Sequence, residues 1–346
     1  MKLKVFTVLN SEFRNNEKAF GFDELFKSVN KNKLPFVVVV NNKRFDGSYY
    51  SKLLPMIEYV ESCRADDLIL FMDAFDCIVL DDEQTIIEKF LKTNAKVLIS
   101  GESFCWPYDS LINNVSEKVN NYIKSGYYPS NKLNQKDMFK FPCAGVMMGF
   151  KNQLLYRLYR WKEILEKKEF PPSNLADFTF LSKSDQGAAT IDFVKNDNDD
   201  YKIDIYPYVF FNHFRVEKDF LRFENGKVLY NYFDGQTFPS IVHFNSGTYK
   251  YITDFQKALI LSNLKIKVTV FNDCLNLNID ETIENNIVVQ IIDKNNNLEF
   301  ETTFNGLDKN ITYWLSTNSI TKKEPIVLVI KNEGYTFYKK TIIYNV

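Results

Sequence analysis

Over the first 250 positions, short apolar runs alternate with segments of helical spacing. Residues 4–9, 35–40, 68–72 and 95–100 are predominantly apolar, several of them rich in β-branched residues, and predict buried strands. Between them, Phe22, Leu25, Phe26 and Val29 share one helical face, as do Ile86, Ile87, Phe90 and Leu91. Residues 49–60 predict a helix bent or broken at Pro55. Strands alternating with helices predict a mostly parallel sheet covered by helices.

Periodicity fades over 107–140, which predicts long loops with a short helix. Residues 141–150 then read as a strand containing Gly145 and Gly149. Leu154, Leu155, Leu158, Trp161, Ile164 and Leu165 line one face of an amphipathic helix. A further helix is expected over 184–194, and strands over 203–211, 227–232 and 240–243. From residue 265 only strand patterns remain: 265–271, 287–293, 298–303, 311–315, 326–330 and 337–344. Asn, Asp and Gly turns separate them at the spacing of a small β-sandwich. The pattern predicts an α/β domain over 1–262 followed by an all-β, sandwich-like domain over 263–346.

Composition narrows the function classes. The chain has 346 residues, with 43 Lys and Arg against 44 Asp and Glu, so no net field favours nucleic acid or an anionic membrane. No stretch approaches the roughly 18 apolar residues of a membrane span. Five widely spaced cysteines without a C-x-x-C argue for reduced thiols rather than a disulfide framework or a zinc site. The apolar stretch at the start is too short for a signal peptide and reads as a first strand. A cytoplasmic protein of bacterial or viral origin is the resulting expectation.

The candidate chemistry centres on Leu68-Ile-Leu-Phe-Met-Asp-Ala-Phe-Asp76. Five apolar residues ending in charge predict a strand that surfaces at the carboxyl edge of a sheet, where open α/β sheets place ligands. Asp73 and Asp76, three apart in a tight turn, have the spacing to face one hard cation. By itself a D-x-x-D is more simply an acidic turn. Four further segments add weight: Leu98-Ile-Ser-Gly-Glu-Ser-Phe-Cys-Trp-Pro107, Phe141-Pro-Cys-Ala-Gly-Val-Met-Met-Gly-Phe150, Ser184-Asp-Gln186 and Ile241-Val-His-Phe-Asn-Ser-Gly-Thr248. Each has a plain structural reading, with Asp185 as a helix N-cap and His243 as a core histidine. Their joint order is more specific, because carboxylates with one imidazole suit Mn²⁺ better than Mg²⁺.

With these segments in order, residues 1 to about 255 resemble the glycosyltransferase domain of procollagen lysyl hydroxylases and the related collagen glucosyl- and galactosyltransferases. The resemblance implies a GT-A (Rossmann-like) fold using Mn²⁺, or another divalent cation, and a UDP-sugar. It implies Asp73, Asp76 and His243 as metal ligands and Phe75 as a platform for uracil. Thr7, Lys52, Asn245, Gly247 and Lys250 would complete the nucleotide-sugar site, with Lys52 and Lys250 near phosphate. Asp185, Glu102 and Trp106 would line the sugar and acceptor pocket as the catalytic set. Three positions depart from the family pattern: Ser184 stands for an acid, Cys143-Ala144 for Asn-Ser, and Phe244 for Gly.

The implied reaction is transfer of glucose or galactose from UDP to a hydroxyl of a protein hydroxylysine, a glycan or a lipid-linked sugar. If Asp185 is the base, inversion follows; if it only positions the acceptor, a retaining route stays open. The alternative is a catalytically inactive glycan- or nucleotide-sugar-binding protein on a decayed GT-A fold, motivated by the lost acid and Asn. A nucleotidyltransferase is disfavoured because no Gly-rich phosphate loop appears.

Overall fold

In a computed structural model of the chain, the described residues are 1–10, 19–41, 50–124, 139–170, 184–196, 200–213, 221–224, 227–230, 238–245, 248–262, 266–271, 274–279, 287–292, 298–304, 312–316, 326–332 and 335–342. They fall into two compact units, Met1–Arg215 with Thr237–Tyr249, and Val216–Gln236 with Lys250–Val346.

The strands of the first unit are β1 (Leu3–Asn10), β2 (Phe36–Asn41), β3 (Leu68–Met72), β4 (Cys77–Val79), β5 (Val97–Glu102), β6 (Phe141–Phe150), β7 (Tyr201–Asp204) and β8 (Phe210–Asn212), together with Ile241–His243. Six of them form one sheet in the order β2-β1-β3-β6-β5-β7. Neighbours pair in parallel except around β6, which runs against both β3 and β5. This is a mostly parallel, Rossmann-like sheet flanked by helices, as the GT-A expectation requires.

β3 lies inside that sheet and is buried along its whole length. Its side chains alternate between two cores, as the two-residue period of a strand requires. Ile69 and Phe71 join Phe6, Trp161 and Ile99 on one face, whereas Leu68, Leu70 and Met72 join Val5, Leu25 and Phe90 on the other. With both faces covered, a strand can be apolar throughout, and a fully buried side chain such as Phe71 contributes about 1.5–3 kcal/mol. Met72 is the last residue of the strand, so the chain leaves the sheet as Asp73 begins.

The helices Ala19–Lys31, Tyr50–Ser62, Glu83–Lys92, Ile112–Lys124, Lys151–Lys167 and Asp185–Lys195 belong to the same unit. Pro55 is accommodated one turn into its helix, where little of the backbone ladder is lost. Asp82 caps Glu83–Lys92 by accepting from the Thr85 N–H at 2.8 Å. Asp82→Ala should therefore lower unfolding free energy by about 1 kcal/mol in a denaturant titration.

Two segments depart from the periodicity. The expected strand 203–211 is two strands in different sheets, β7 beside β5 and β8 beside Ile241–His243, with Pro207 in the connection. The region expected to be mostly loop contains the 13-residue helix Ile112–Lys124, whose buried Val115 and Val119 are its only strong apolar anchors.

The second unit adds β9 (Leu221–Glu224) and β10 (Lys227–Tyr230), which precede β11 (Ile241–His243) of the first unit in chain order. Its remaining strands are β12 (Ile266–Phe271), β13 (Cys274–Ile279), β14 (Ile287–Ile292), β15 (Leu298–Phe304), β16 (Thr312–Ser316), β17 (Ile326–Asn332) and β18 (Tyr335–Ile342). One sheet runs β10-β9-β18-β17-β14-β15 and another β12-β13-β16. Every pairing is antiparallel except β18 with β9. The contacts therefore draw the line elsewhere than residue 262. The β9–β10 hairpin is an edge of the C-terminal sheet, and the helix Ile252–Leu261, which the pattern did not reveal, groups with it. Among the described residues no helix is long and apolar enough to cross a membrane.

Candidate active site

The loop 73–76 is pinned at both ends by main-chain bonds. The Asp73 N–H donates to the Gly145 carbonyl of β6 at 2.7 Å, and the Phe244 N–H donates to the Asp76 carbonyl at 2.6 Å. The second bond continues the antiparallel pairing of β11 with β4, which sets His243 opposite Cys77. β6 and β11 thus hold the two carboxylates and the imidazole in one place. Sequence separations of 72 and 170 residues hide this convergence, and register creates it.

His243 is almost fully buried. Its Nδ1 lies 3.6 Å from the Cys143 Sγ, and its Nε2 has no hydrogen-bond partner among the described residues. That Nε2 faces Asp76 Oδ2 at 3.4 Å and Asp73 Oδ2 at 3.9 Å. Asp76 Oδ1 is likewise buried without a hydrogen bond. Cis ligands on an octahedral cation with bonds of about 2.1 Å lie about 3 Å apart, so modest closure brings all three groups to one ion. The site therefore fits a divalent cation on two independent grounds, the spacing and the orphaned ring nitrogen.

The electrostatics point the same way. Burial pushes the Asp73 carboxyl up to about 6, reinforced by Asp76 and Asp185 and opposed by Lys52 and His243. Burial would lower the His243 imidazole, but Asp76 and Cys143 outweigh it and hold the ring well above its ordinary value. A positive charge is thus favoured beside these acids, a place that a divalent cation would also suit. Asp76, Cys77 and His243 also form a group with potential ligand atoms all within 4.8 Å of one another. The two carboxylates and the imidazole are the better match to a hard cation, because burial drives the Cys77 thiol well above its usual value, with Asp76 and Asp73 adding to it.

Gly145 is the seat of the ring. A Cβ built there would lie 2.0 Å from His243 Cε1 and 2.5 Å from Nε2, so any side chain collides with the imidazole. Gly21 has a similar role on the other side of the loop, where a Cβ would meet the Phe75 carbonyl at 1.7 Å. Phe75 itself is half-buried.

Beside the carboxylates, Lys52 reaches from the helix Tyr50–Ser62 to Asp73 Oδ1 at 3.0 Å and Asp185 Oδ2 at 2.5 Å. Burial opposes its charge, yet Asp185 and Asp73 hold the ammonium well above the usual lysine range. Asp185 opens the helix Asp185–Lys195, and its Oδ1 accepts from the Gln186 N–H at 2.9 Å. The cap of that helix is Ser184, which accepts from the Gly187 N–H at 3.1 Å. Ser184 thus has a structural task at the position where the family pattern has an acid. The far end of the helix is anchored by Asp192, which meets Arg157 at 3.3 Å and the Trp161 indole N–H at 3.2 Å. Lys118 donates to the Phe193 carbonyl there at 2.7 Å, a cation where the helix dipole favours one.

Glu102, at the end of β5, is a buried junction. Its carboxylate accepts from the Gln186 amide and, at 2.9 Å, from the Asn245 amide. Gln186 also donates to the Trp106 carbonyl at 3.2 Å. Glu102, Trp106, Asp185 and Asn245 are thereby linked through Gln186, whose role the sequence did not show. Thr7 lies fully buried on β1, with its hydroxyl unpartnered among the described residues. Phe244 stacks on His213 at 4.9 Å between ring centroids, which gives this substitution a packing role.

Lys250 is exposed, lies 5.1 Å above the Tyr251 ring and belongs to the second unit. Gly247 lies outside the described residues. Lys52, expected near a phosphate, is held between two carboxylates. Cys143, Gly145 and Cys77 were not assigned to the metal site by sequence. Only the strand register places them around His243.

Comparisons with known proteins place this geometry in context. Residues 1–168 match the family described as the PLOD GT domain. A Drosophila melanogaster procollagen-lysine,2-oxoglutarate 5-dioxygenase is 38% identical over 66 residues, 18% of this chain and 9% of that protein. The Homo sapiens multifunctional procollagen lysine hydroxylase and glycosyltransferase LH3 is 39% identical over 44 residues, 13% of this chain and 6% of that protein. The aligned segments thus span less than a tenth of these relatives. Among solved structures, the apo WbbM bifunctional glycosyltransferase aligns with 70% of this chain and 46% of its own, at a TM-score of 0.35 and 14% identity.

Proposed function

We propose, from the premise that residues 1–168 belong to the PLOD glycosyltransferase-domain family, that this chain moves glucose or galactose from a UDP-sugar to a hydroxyl acceptor with a divalent cation, Mn²⁺ before others. The observation that carries the reading is the unpartnered Nε2 of a buried His243 facing Asp73 and Asp76. His243 and Asp185 lie beyond the matched segment, yet both converge on the loop 73–76, His243 directly and Asp185 through Lys52.

Asp73, Asp76 and His243 would hold the cation, which when bound neutralises charge gathering on the UDP leaving group. Cys143 would orient the ring by accepting a hydrogen bond from the Nδ1–H, so that Nε2 presents its lone pair. Lys52 supplies a second positive charge beside Asp73 and ties it to Asp185. With one oxygen on Lys52 and the other on a backbone N–H, Asp185 is suited to orienting the acceptor hydroxyl rather than to acting as a free base. Glu102, Gln186 and Asn245 form a prearranged polar wall against which the sugar hydroxyls bind, and Trp106 shields that side from water. Phe75 would offer an aromatic face to the base, and Thr7 a hydroxyl that has no partner among the described residues.

The test is UDP release from a panel of UDP-sugars with Mn²⁺, followed by acceptor profiling with the preferred donor. Chelation should abolish the release and Mn²⁺ should restore it. Tight UDP-sugar binding with no release over hours would assign the chain to the binding-protein alternative.

A further inference from the structure

We propose that Cys77 gives the centre a second coordination mode, in which Asp76, Cys77 and His243 hold a thiophilic divalent ion such as Zn²⁺ or Co²⁺. The inference rests on the metal reading above and adds a sulfur ligand to it. Three observations carry it. The ligand atoms of these residues lie within 4.8 Å of one another. Cys77 is directly opposite His243 in the β4–β11 ladder, and opposed residues of an antiparallel pair project to the same face. The buried His243 Nε2 has no hydrogen-bond partner among the described residues and sits 3.4 Å from Asp76 Oδ2. With bonds of about 2.0–2.1 Å, the edge of a tetrahedral site is about 3.3–3.4 Å, which that separation matches.

The neighbours leave these donors available. Asp73 commits one oxygen to Lys52, and Cys143 faces Nδ1 on the other side of the ring. Cys77 is buried and forms no disulfide. On binding, the S–H bond is replaced by a sulfur–metal bond and the thiol proton passes to the buffer. Thiolate, carboxylate and divalent ion then form a charge-neutral set, which lowers the cost of keeping them buried. Mn²⁺ prefers oxygen and nitrogen, so it would use Asp73 in place of the sulfur, and softer ions would select Cys77. The centre would thus bind two ion classes through overlapping ligands.

The test is a Co²⁺ titration of the full chain under a non-thiol reductant, read by the near-ultraviolet thiolate-to-cobalt charge-transfer band. Mn²⁺ binding is measured in parallel by electron paramagnetic resonance. The band should saturate at one equivalent in the wild type and in Cys63→Ser, a cysteine outside the site. It should vanish in Cys77→Ser, with Co²⁺ affinity falling at least about 10-fold while Mn²⁺ still binds. A wild type that binds Mn²⁺ but shows no band, or a band that survives in Cys77→Ser, would overturn the sulfur ligand. Loss of Mn²⁺ binding in the wild type would instead remove the parent reading. If Cys77→Ser does not fold, cadmium NMR on the wild type decides, since a sulfur ligand moves the resonance far downfield.

Discussion

Asp76→Asn is expected to reduce UDP release from the preferred UDP-sugar by about 10²–10³-fold, the cost of losing one group that stabilises developing charge. Asn keeps the volume and one carbonyl oxygen but removes the negative charge that would bind the cation. The Asp76 main chain keeps its bond from the Phe244 N–H, so the loop retains its anchor to the segment after β11. The variant should therefore melt within a few degrees of the wild type while losing turnover. Steady-state UDP release and a thermal scan on the same preparation check both halves.

Gly145→Ala should have the second large effect, and it acts without removing any ligand. The added Cβ would lie 2.0 Å from His243 Cε1, far inside contact distance. The ring has little room to yield, with Cys143 at its Nδ1 and the carboxylates facing its Nε2. β6 is tied down on either side of this point: its neighbours Val146 and Cys143 pair with β3 and β5, although the β5 register shifts across 144–146, and its Gly145 carbonyl holds the Asp73 N–H. Overpacking of this kind costs about 1–3 kcal/mol. If His243 ligates the cation as proposed, its displacement should also weaken Mn²⁺ at least about 10–100-fold, as loss of ligand orientation does elsewhere. Denaturant unfolding and Mn²⁺ titration measure the two components separately.

Much of the fold was legible because burial leaves a periodic trace. β3, buried on both faces, wrote itself as five apolar residues, and the two carboxylates after it marked the point where the chain leaves the sheet. The helix Ile112–Lys124 was obscured because it buries only Val115 and Val119, too few positions for a stripe. The 203–211 segment read as one strand because local pattern does not show that a chain has crossed from one sheet to another. The helix Ile252–Leu261 lies among strand patterns, and its grouping with the C-terminal sheet is set by long-range contacts.

The site divides along the same line. Asp73 and Asp76 are neighbours in sequence and could be paired by spacing alone. His243 joined them through resemblance, and its register opposite Cys77 was invisible until the strands were paired. Lys52 came to the site through the same resemblance, and its ion pairs with Asp73 and Asp185, which no sequence spacing reveals, join the loop 73–76 to the start of the helix Asp185–Lys195. The three departures from the family pattern also found physical roles. Ser184 caps a helix, Cys143 faces the histidine and Phe244 stacks on His213.

The central claim is that Asp73, Asp76 and His243 jointly hold the cation that binds the diphosphate. Anomalous diffraction from a crystal soaked with Mn²⁺ and UDP tests this most directly. The account predicts one manganese peak within bonding distance of Asp76, His243 Nε2 and Asp73, with diphosphate oxygens completing its coordination. UDP bound with no peak at these residues, or a peak held by another set of side chains, would contradict it.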